Sequence, residues 1–213
     1  MKNMVEVRNL SFKYSKDGPE VLGDLSFSAP QGSITAITGP SGSGKSTLAC
    51  CIAGIIPKNV KGEMSGSVEL NGRAGIVFQD PDTQIFLPSV EDEIAFGPEN
   101  LCLSPELIGG RIETSLALTG MSEFRDKGPN RLSGGERQMI VFAAVLAMEP
   151  DILVCDEVTA FLDETGKIRV AETFTRLKAE GKTIIMIEHN RDMLALADKT
   201  YTLAGAKLLE GSR

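Results

Sequence analysis

Nine consecutive residues restrict this chain more than any others: Gly39, Pro40, Ser41, Gly42, Ser43, Gly44, Lys45, Ser46 and Thr47. They fit G-x-x-x-x-G-K-[ST], with a β-branched apolar run at Ser33–Thr38 before them and an apolar helical run from Lys45 to about Ile56 after. Strand, glycine loop and helix in that order form a phosphate cradle. The glycines let successive backbone N–H groups turn inward, and the helix N-terminus adds partial positive charge at the same place. Lys45 brings a full charge to the β and γ phosphates of a nucleotide, and the Ser46 hydroxyl is an oxygen ligand of the kind Mg²⁺ prefers. As a plain Gly/Ser turn the pattern arises by chance in roughly one chain of this length in a hundred, and the flanks make it rarer still.

Around this loop the periodicity changes along the chain. Apolar and polar residues alternate at Met4–Leu10 and Asp24–Ala29, which predicts an antiparallel opening layer. Ser67–Leu70 and Ala74–Phe78 read as two more strands, joined by the turn pair Asn71 and Gly72 into a hairpin. Between Pro81 and Arg131 amphipathic helical patterns take over, at Val90–Phe96 and Pro105–Leu118, punctuated by Pro81, Pro88, Pro98 and Pro105. A helical run from Gly134 to Met148, a strand at Ile152–Cys155, a helix at Glu164–Glu180 and a strand at Thr183–Ile187 follow, and two closing strands flank Gly205. Alternating strands and helices predict a mostly parallel sheet. The reading is a single α/β domain over 1–213, with a helical subdomain over about 81–140.

The 213 residues hold 42% hydrophobic and 24% charged residues, and their longest apolar runs fall well short of the roughly 20 needed to span a bilayer. Met1–Asn9 lacks the basic-then-apolar order of a secretory signal, so a cytoplasmic location is expected. Cys50, Cys51, Cys102 and Cys155 lie in apolar surroundings without C-x-x-C spacing and read as reduced core thiols. A net charge of −7 leans against nucleic-acid binding. The acidic cluster Glu91, Asp92, Glu93 and Glu99 reads most simply as a solvated helix face.

Ile152–Cys155 runs straight into Asp156 and Glu157. Two carboxylates at the C-terminal end of a buried strand lie where open α/β sheets hold their ligands. Asp156 suits Mg²⁺, and Glu157 suits the polarisation of an attacking water.

Leu132-Ser133-Gly134-Gly135-Glu136, followed by Arg137, Gln138 and a helix, adds a third motif. Read alone it is a helix N-cap, Ser133 with Glu136 as its box partner. Together with the phosphate loop and the carboxylate pair it resembles the signature of the ATP-binding-cassette family, and the resemblance covers essentially the whole chain. It implies a P-loop NTPase fold of α/β class: a mixed, mostly parallel central sheet, an antiparallel β subdomain and a helical subdomain. It also implies ATP hydrolysis by a head-to-tail dimer, homo- or heteromeric, in which Ser133 and Gly135 face ATP bound by a second ATPase subunit. By the same resemblance Tyr14 stacks on adenine, Gln79 touches Mg²⁺ and the attacking water, Leu162 and Asp163 form the D-loop, and His189 contacts the γ phosphate. Val158 and Ala160 stand where many relatives have Pro and Ser, and neither change removes a ligand or a charge.

Phe78-Gln79-Asp80-Pro81 through Ile85-Phe86, with Ser89 to Leu101, is similar to the energy-coupling-factor branch, whose ATPases serve importers of vitamins and of cations such as cobalt and nickel. That similarity implies a transmembrane partner docking near Ile85, Phe86 and Phe96, and a peripheral position on the cytoplasmic face of the membrane. The alternative is a soluble ATPase switch of the same family without a membrane partner. The chain reads as a compact member without a regulatory extension, or as half of a tandem.

Overall fold

The computed structural model describes residues 2–211. In chain order its regular elements are β1 (Asn3–Lys13), β2 (Leu22–Pro30), β3 (Ile34–Thr38), α1 (Lys45–Ile52), β4 (Glu63–Leu70), β5 (Ala74–Val77), α2 (Val90–Asn100) and α3 (Pro105–Thr119). They continue with α4 (Gly134–Ala147), β6 (Ile152–Asp156), α5 (Glu164–Ala179), β7 (Thr183–Ile187), α6 (Arg191–Leu194), β8 (Lys199–Ala204) and β9 (Lys207–Glu210). Two compact units result: Met1–Ile76 with Asp151–Asp156 and Leu177–Arg213, and Val77–Pro150 with Glu157–Arg176.

The first unit holds an antiparallel sheet, β2-β1-β4, and a six-stranded sheet, β5-β6-β7-β3-β8-β9. In the larger sheet β6, β7, β3 and β8 pair in parallel, and β9 closes it antiparallel to β8. Every residue of β6 and β7 is buried, as their unbroken apolar runs require of inner parallel strands. Phe12, Leu22, Ile37, Leu48, Ile52, Val154, Ile185 and Leu203 meet in one core with no exposed surface, each contributing about 1.5–3 kcal/mol.

The second unit is helical. Ser89, Ser104 and Ser133 cap α2, α3 and α4 through their hydroxyls, Pro105 opens α3, and Gly120 closes it in the left-handed conformation. Phe142 of α4 and Phe174 of α5 are fully buried, edge to face at 6.1 Å.

Four expectations need correction. The turn pair Asn71–Gly72 does not make a hairpin, because β4 pairs with β1 and β5 lies in the other sheet beside β6. Asn71 stays with the first sheet, its N–H and side-chain amide donating to the Met4 and Asn3 carbonyls. Two residues later the Arg73 carbonyl accepts from Asp151 and Ile152. Pro98 lies inside α2 instead of ending it. Cys102 is exposed, while Cys51 and Cys155 are buried as expected. Burial pushes the Cys51 thiol up to about 12, and pushes Cys155 up as well, with Glu188 and Asp156 adding repulsion. Finally, the acidic cluster is a solvated face only in part, with Asp92 and Glu99 exposed. Glu93 is 5% exposed, its carboxylate accepting from the Phe86 and Leu87 N–H groups at 3.1 and 2.8 Å, and Glu91 is paired with Arg125 at 2.6 Å.

Candidate functional site

Within the first unit, register brings the chemistry to one sheet edge. Asp156 is opposite Ile187, and Ile187 opposite Ile37. The phosphate loop, Asp156 and His189 therefore leave neighbouring strands at the same C-terminal edge. Gly39, Gly42 and Gly44 all have positive φ, 142°, 76° and 98°. A Cβ on Gly39 would run into the Leu203 carbonyl oxygen, whereas one on Gly42 would meet nothing within 4 Å. The loop is thus pinned at its root and open at its crown. Lys45 is 6% exposed, and its ammonium spans the loop from inside, donating to the Gly39 and Pro40 carbonyls at 2.9 and 3.1 Å. No side chain caps α1, and its first turn holds no acid, so the N–H groups there remain available to an anion. Ser41 and Ser46 are exposed, and Ser43 Oγ is buried without a hydrogen-bond partner among the described residues.

Thr47 points elsewhere: its hydroxyl lies 2.8 Å from the Tyr14 hydroxyl. Tyr14 follows β1, rests edge-on against Phe12 at 4.9 Å and keeps 52% of its surface exposed. Its hydroxyl is tethered while its ring is left accessible. His189 is exposed on a braced backbone: Glu188 Oε1 accepts from the His189 and Asn190 N–H groups at 2.7 and 2.9 Å, and Asn190 Oδ1 caps α6.

Within the second unit, Gln79 leaves the end of β5 and donates from Nε2 to Glu157 Oε2 at 3.0 Å. Glu157 has φ 50°, a left-handed turn uncommon for a residue with a side chain, which starts the chain away from Asp156. The capping box read at Ser133 is present: Glu136 N–H donates to Ser133 Oγ at 3.3 Å, and Ser133 N–H to Glu136 Oε2 at 2.7 Å. The backbone bond from Ser133 holds the Glu136 carboxyl below its ordinary range. Ser133 and Gly135 line a cavity of about 620 Å³ together with Phe161, Leu162 and Asp163, and neither Gln79 nor Glu157 borders it. Gly135 is close-packed, since a Cβ there would sit 3.0 Å from the Phe161 carbonyl oxygen.

Sequence reasoning missed the bracing residues. Glu188 and Asn190 flank the histidine and do their work through its backbone, and Asn before a short helix is a readable cap signal. Gln84, which accepts from Phe78 N–H at 2.7 Å, and Gln138, which donates to Phe78 O at 3.0 Å, left no local signal.

A second cavity of the helical unit, about 540 Å³, is lined by Phe86, Phe96, Leu101, Val141, Val145 and Met148 among others. Phe86 and Phe96 meet edge to face at 4.9 Å, yet stay 63% and 43% exposed. The buried Glu93 carboxylate holds the Phe86 backbone at its rim.

Known proteins resemble this chain along nearly its whole length. The profile of the ABC transporter family matches residues 22–160. The "Energy-coupling factor transporter ATP-binding protein EcfA" of Methanosarcina acetivorans is 40% identical over 219 residues, 98% of this chain and 80% of that one. Its namesake in Methanocaldococcus jannaschii is 37% identical over 97% of this chain and 78% of its own length. This chain spans only 35% of another Methanosarcina acetivorans relative, a "Putative ABC transporter ATP-binding protein" 39% identical to it. Among solved structures, cbiO1 from Clostridium perfringens, described as part of the ABC transporter complex cbiONQ, superposes with a TM-score of 0.84 at 31% identity, over 99% of this chain and 89% of that one. The dimeric cassette MJ0796 shares the fold, with a TM-score of 0.87 at 23% identity and 98% of each chain covered.

Proposed function

This chain belongs to the ABC transporter family, and from that premise we propose that it is the ATP-hydrolysing subunit of a membrane importer of energy-coupling-factor type, carrying a vitamin or a transition-metal cation. Its family's cassettes bind nucleotide, and the loop Gly39–Thr47 is suited to the phosphates. Its crown at Gly42 is open, its helix end is uncapped, and the Lys45 ammonium already lies inside the loop against the Gly39 and Pro40 carbonyls. The exposed Tyr14 ring is a face for adenine.

The donors suited to Mg²⁺ are the Ser46 hydroxyl, the Asp156 carboxylate and the Gln79 amide oxygen, all of the hard oxygen type that ion takes. Bound there, the ion neutralises charge on the phosphate oxygens. Asp156 ends its strand 3% exposed, a hard carboxylate donor held at the sheet edge beside the phosphate loop.

Hydrolysis falls to Glu157, Gln79 and His189. Glu157 is the general base, and the Gln79 amide on its Oε2 orients the carboxylate. His189, the one histidine in the chain, contacts the γ phosphate from a backbone fixed by Glu188. Ser133 and Gly135 act on ATP held by a second ATPase subunit in a head-to-tail dimer. Their cavity, bordered by neither Gln79 nor Glu157, supports a role in trans.

The observation that carries the transport reading is the open apolar groove around Phe86 and Phe96, in the segment that follows Gln79. Exposed aromatic rings over a preformed hollow suit a docking helix of a transmembrane subunit. No helix among the described residues is long and apolar enough to cross a membrane, and the subunit works as a peripheral protein on the cytoplasmic face. Phe86→Asp tests this. The variant is expected to bind ATP normally and to lose co-purification with the membrane subunit, and full retention of the complex would refute the docking site.

A further inference from the structure

We propose that Gln138 is a positioning residue for hydrolysis, carrying the state of the signature loop at the start of α4 to the Gln79–Glu157 pair. The inference rests on the reading above, in which Ser133 senses nucleotide on a second subunit and Glu157 acts on water. Gln138 has no exposed surface. Its Nε2 donates to the Phe78 carbonyl at 3.0 Å, and the Phe78 N–H is held by Gln84 Oε1 at 2.7 Å. The next residue is Gln79, bonded to Glu157. The two peptide units that flank Phe78 are therefore each held by a glutamine side chain immediately before the side chain that orients the base.

Arg137, the neighbour of Gln138 on α4, secures the same loop at its far end. It donates to the Leu132 carbonyl at 3.0 Å and pairs through Nε with Asp82 Oδ1 at 2.9 Å. The first turns of the signature helix thus hold both Phe78 and Asp82, the two ends of the segment containing Gln79. Gln138 lies five residues beyond Ser133, about 7.5 Å along the helix axis. Because hydrogen bonds weaken steeply with misalignment, a small shift of α4 alters the Phe78 contact and with it the aim of Gln79.

Stability does not account for a glutamine here. Its Oε1 is buried with no hydrogen-bond partner among the described residues, and a buried acceptor left unmade is unfavourable. Gln138→Met exchanges that orphan acceptor for another, the Phe78 carbonyl, at similar volume. A purely structural role predicts little change in anything. A positioning role predicts a loss confined to turnover and to cooperativity between the two nucleotide sites.

The test compares wild type, Gln138→Met and Gln138→Leu, neither of which has a proton to donate to the Phe78 carbonyl. The measurements are steady-state hydrolysis across ATP concentrations, titration with a fluorescent ATP analogue, and thermal unfolding. Both variants are expected to lose about tenfold in kcat, to keep nucleotide affinity within about twofold, and to show a Hill coefficient reduced toward about one. The Met variant is expected to melt close to wild type. Wild-type turnover in either variant overturns the inference, as does a kcat loss matched by equal losses of affinity and melting temperature. A wild-type protein inert toward ATP overturns the hydrolytic reading, and this inference with it.

Discussion

Gln79 and Glu157, 78 positions apart in sequence, meet in a side-chain hydrogen bond of 3.0 Å. The amide gives the carboxylate a fixed orientation without adding a charge. Gln79→Ala removes the donor and leaves the phosphate loop untouched. Turnover is expected to fall about tenfold or more while ATP affinity stays level, as for loss of a contact that matters mainly in the transition state. Steady-state kinetics paired with nucleotide titration separates the two.

Lys45 donates to the Gly39 and Pro40 carbonyls. Lys45→Ala removes charge-assisted bonds to phosphate, each worth about 1.5–3 kcal/mol. ATP affinity is expected to drop at least about tenfold per lost bond in a protein that still folds. Calorimetric titration and thermal unfolding on the same preparation check both parts.

Asp151 fastens β6 to the preceding strand. Its Oδ2 accepts from Arg73 N–H at 3.0 Å, and its Oδ1 lies 3.4 Å from Lys182 Nζ. The Arg73 backbone bond, then Lys182, hold its carboxyl below the ordinary range. A depressed acid stabilises the fold fully above its unfolded pKa, and that contribution is lost as pH falls through the folded value. Asp151→Asn is expected to be less stable than wild type at neutral pH, with the gap closing as both are acidified into that window. Denaturant unfolding at a series of pH values measures it, and a gap that widens toward acid would contradict the assignment.

The parts of this protein set by contiguous residues were readable from its sequence. Ser33–Thr38, Ile152–Cys155 and Thr183–Ile187 are short apolar and β-branched runs, the expected pattern for strands buried on both faces, and Gly39–Thr47 carries its own chemistry. Ser133 with Glu136 was readable as a capping box because its partners are three residues apart. What failed depended on distant pairing. Asn71 and Gly72 look like a hairpin locally, but Asn71 bonds to Asn3 and Met4 while Arg73 bonds to Asp151. Glu93 looks like a surface acid until the chain before it folds back and offers the Phe86 and Leu87 N–H groups. Gln138 follows the signature closely, yet its acceptor lies 60 residues earlier, beyond any local pattern.

The central claim is that Glu157 activates the water that cleaves ATP, and Glu157→Gln probes it with the smallest change of shape. The measurement is single-turnover hydrolysis at saturating ATP and Mg²⁺, with binding and dimerisation followed in parallel. The account predicts a variant that binds ATP and dimerises as wild type does, with hydrolysis slowed by about two orders of magnitude or more, the scale of a lost general base. Hydrolysis at the wild-type rate by a nucleotide-bound, dimeric Glu157→Gln protein would contradict it.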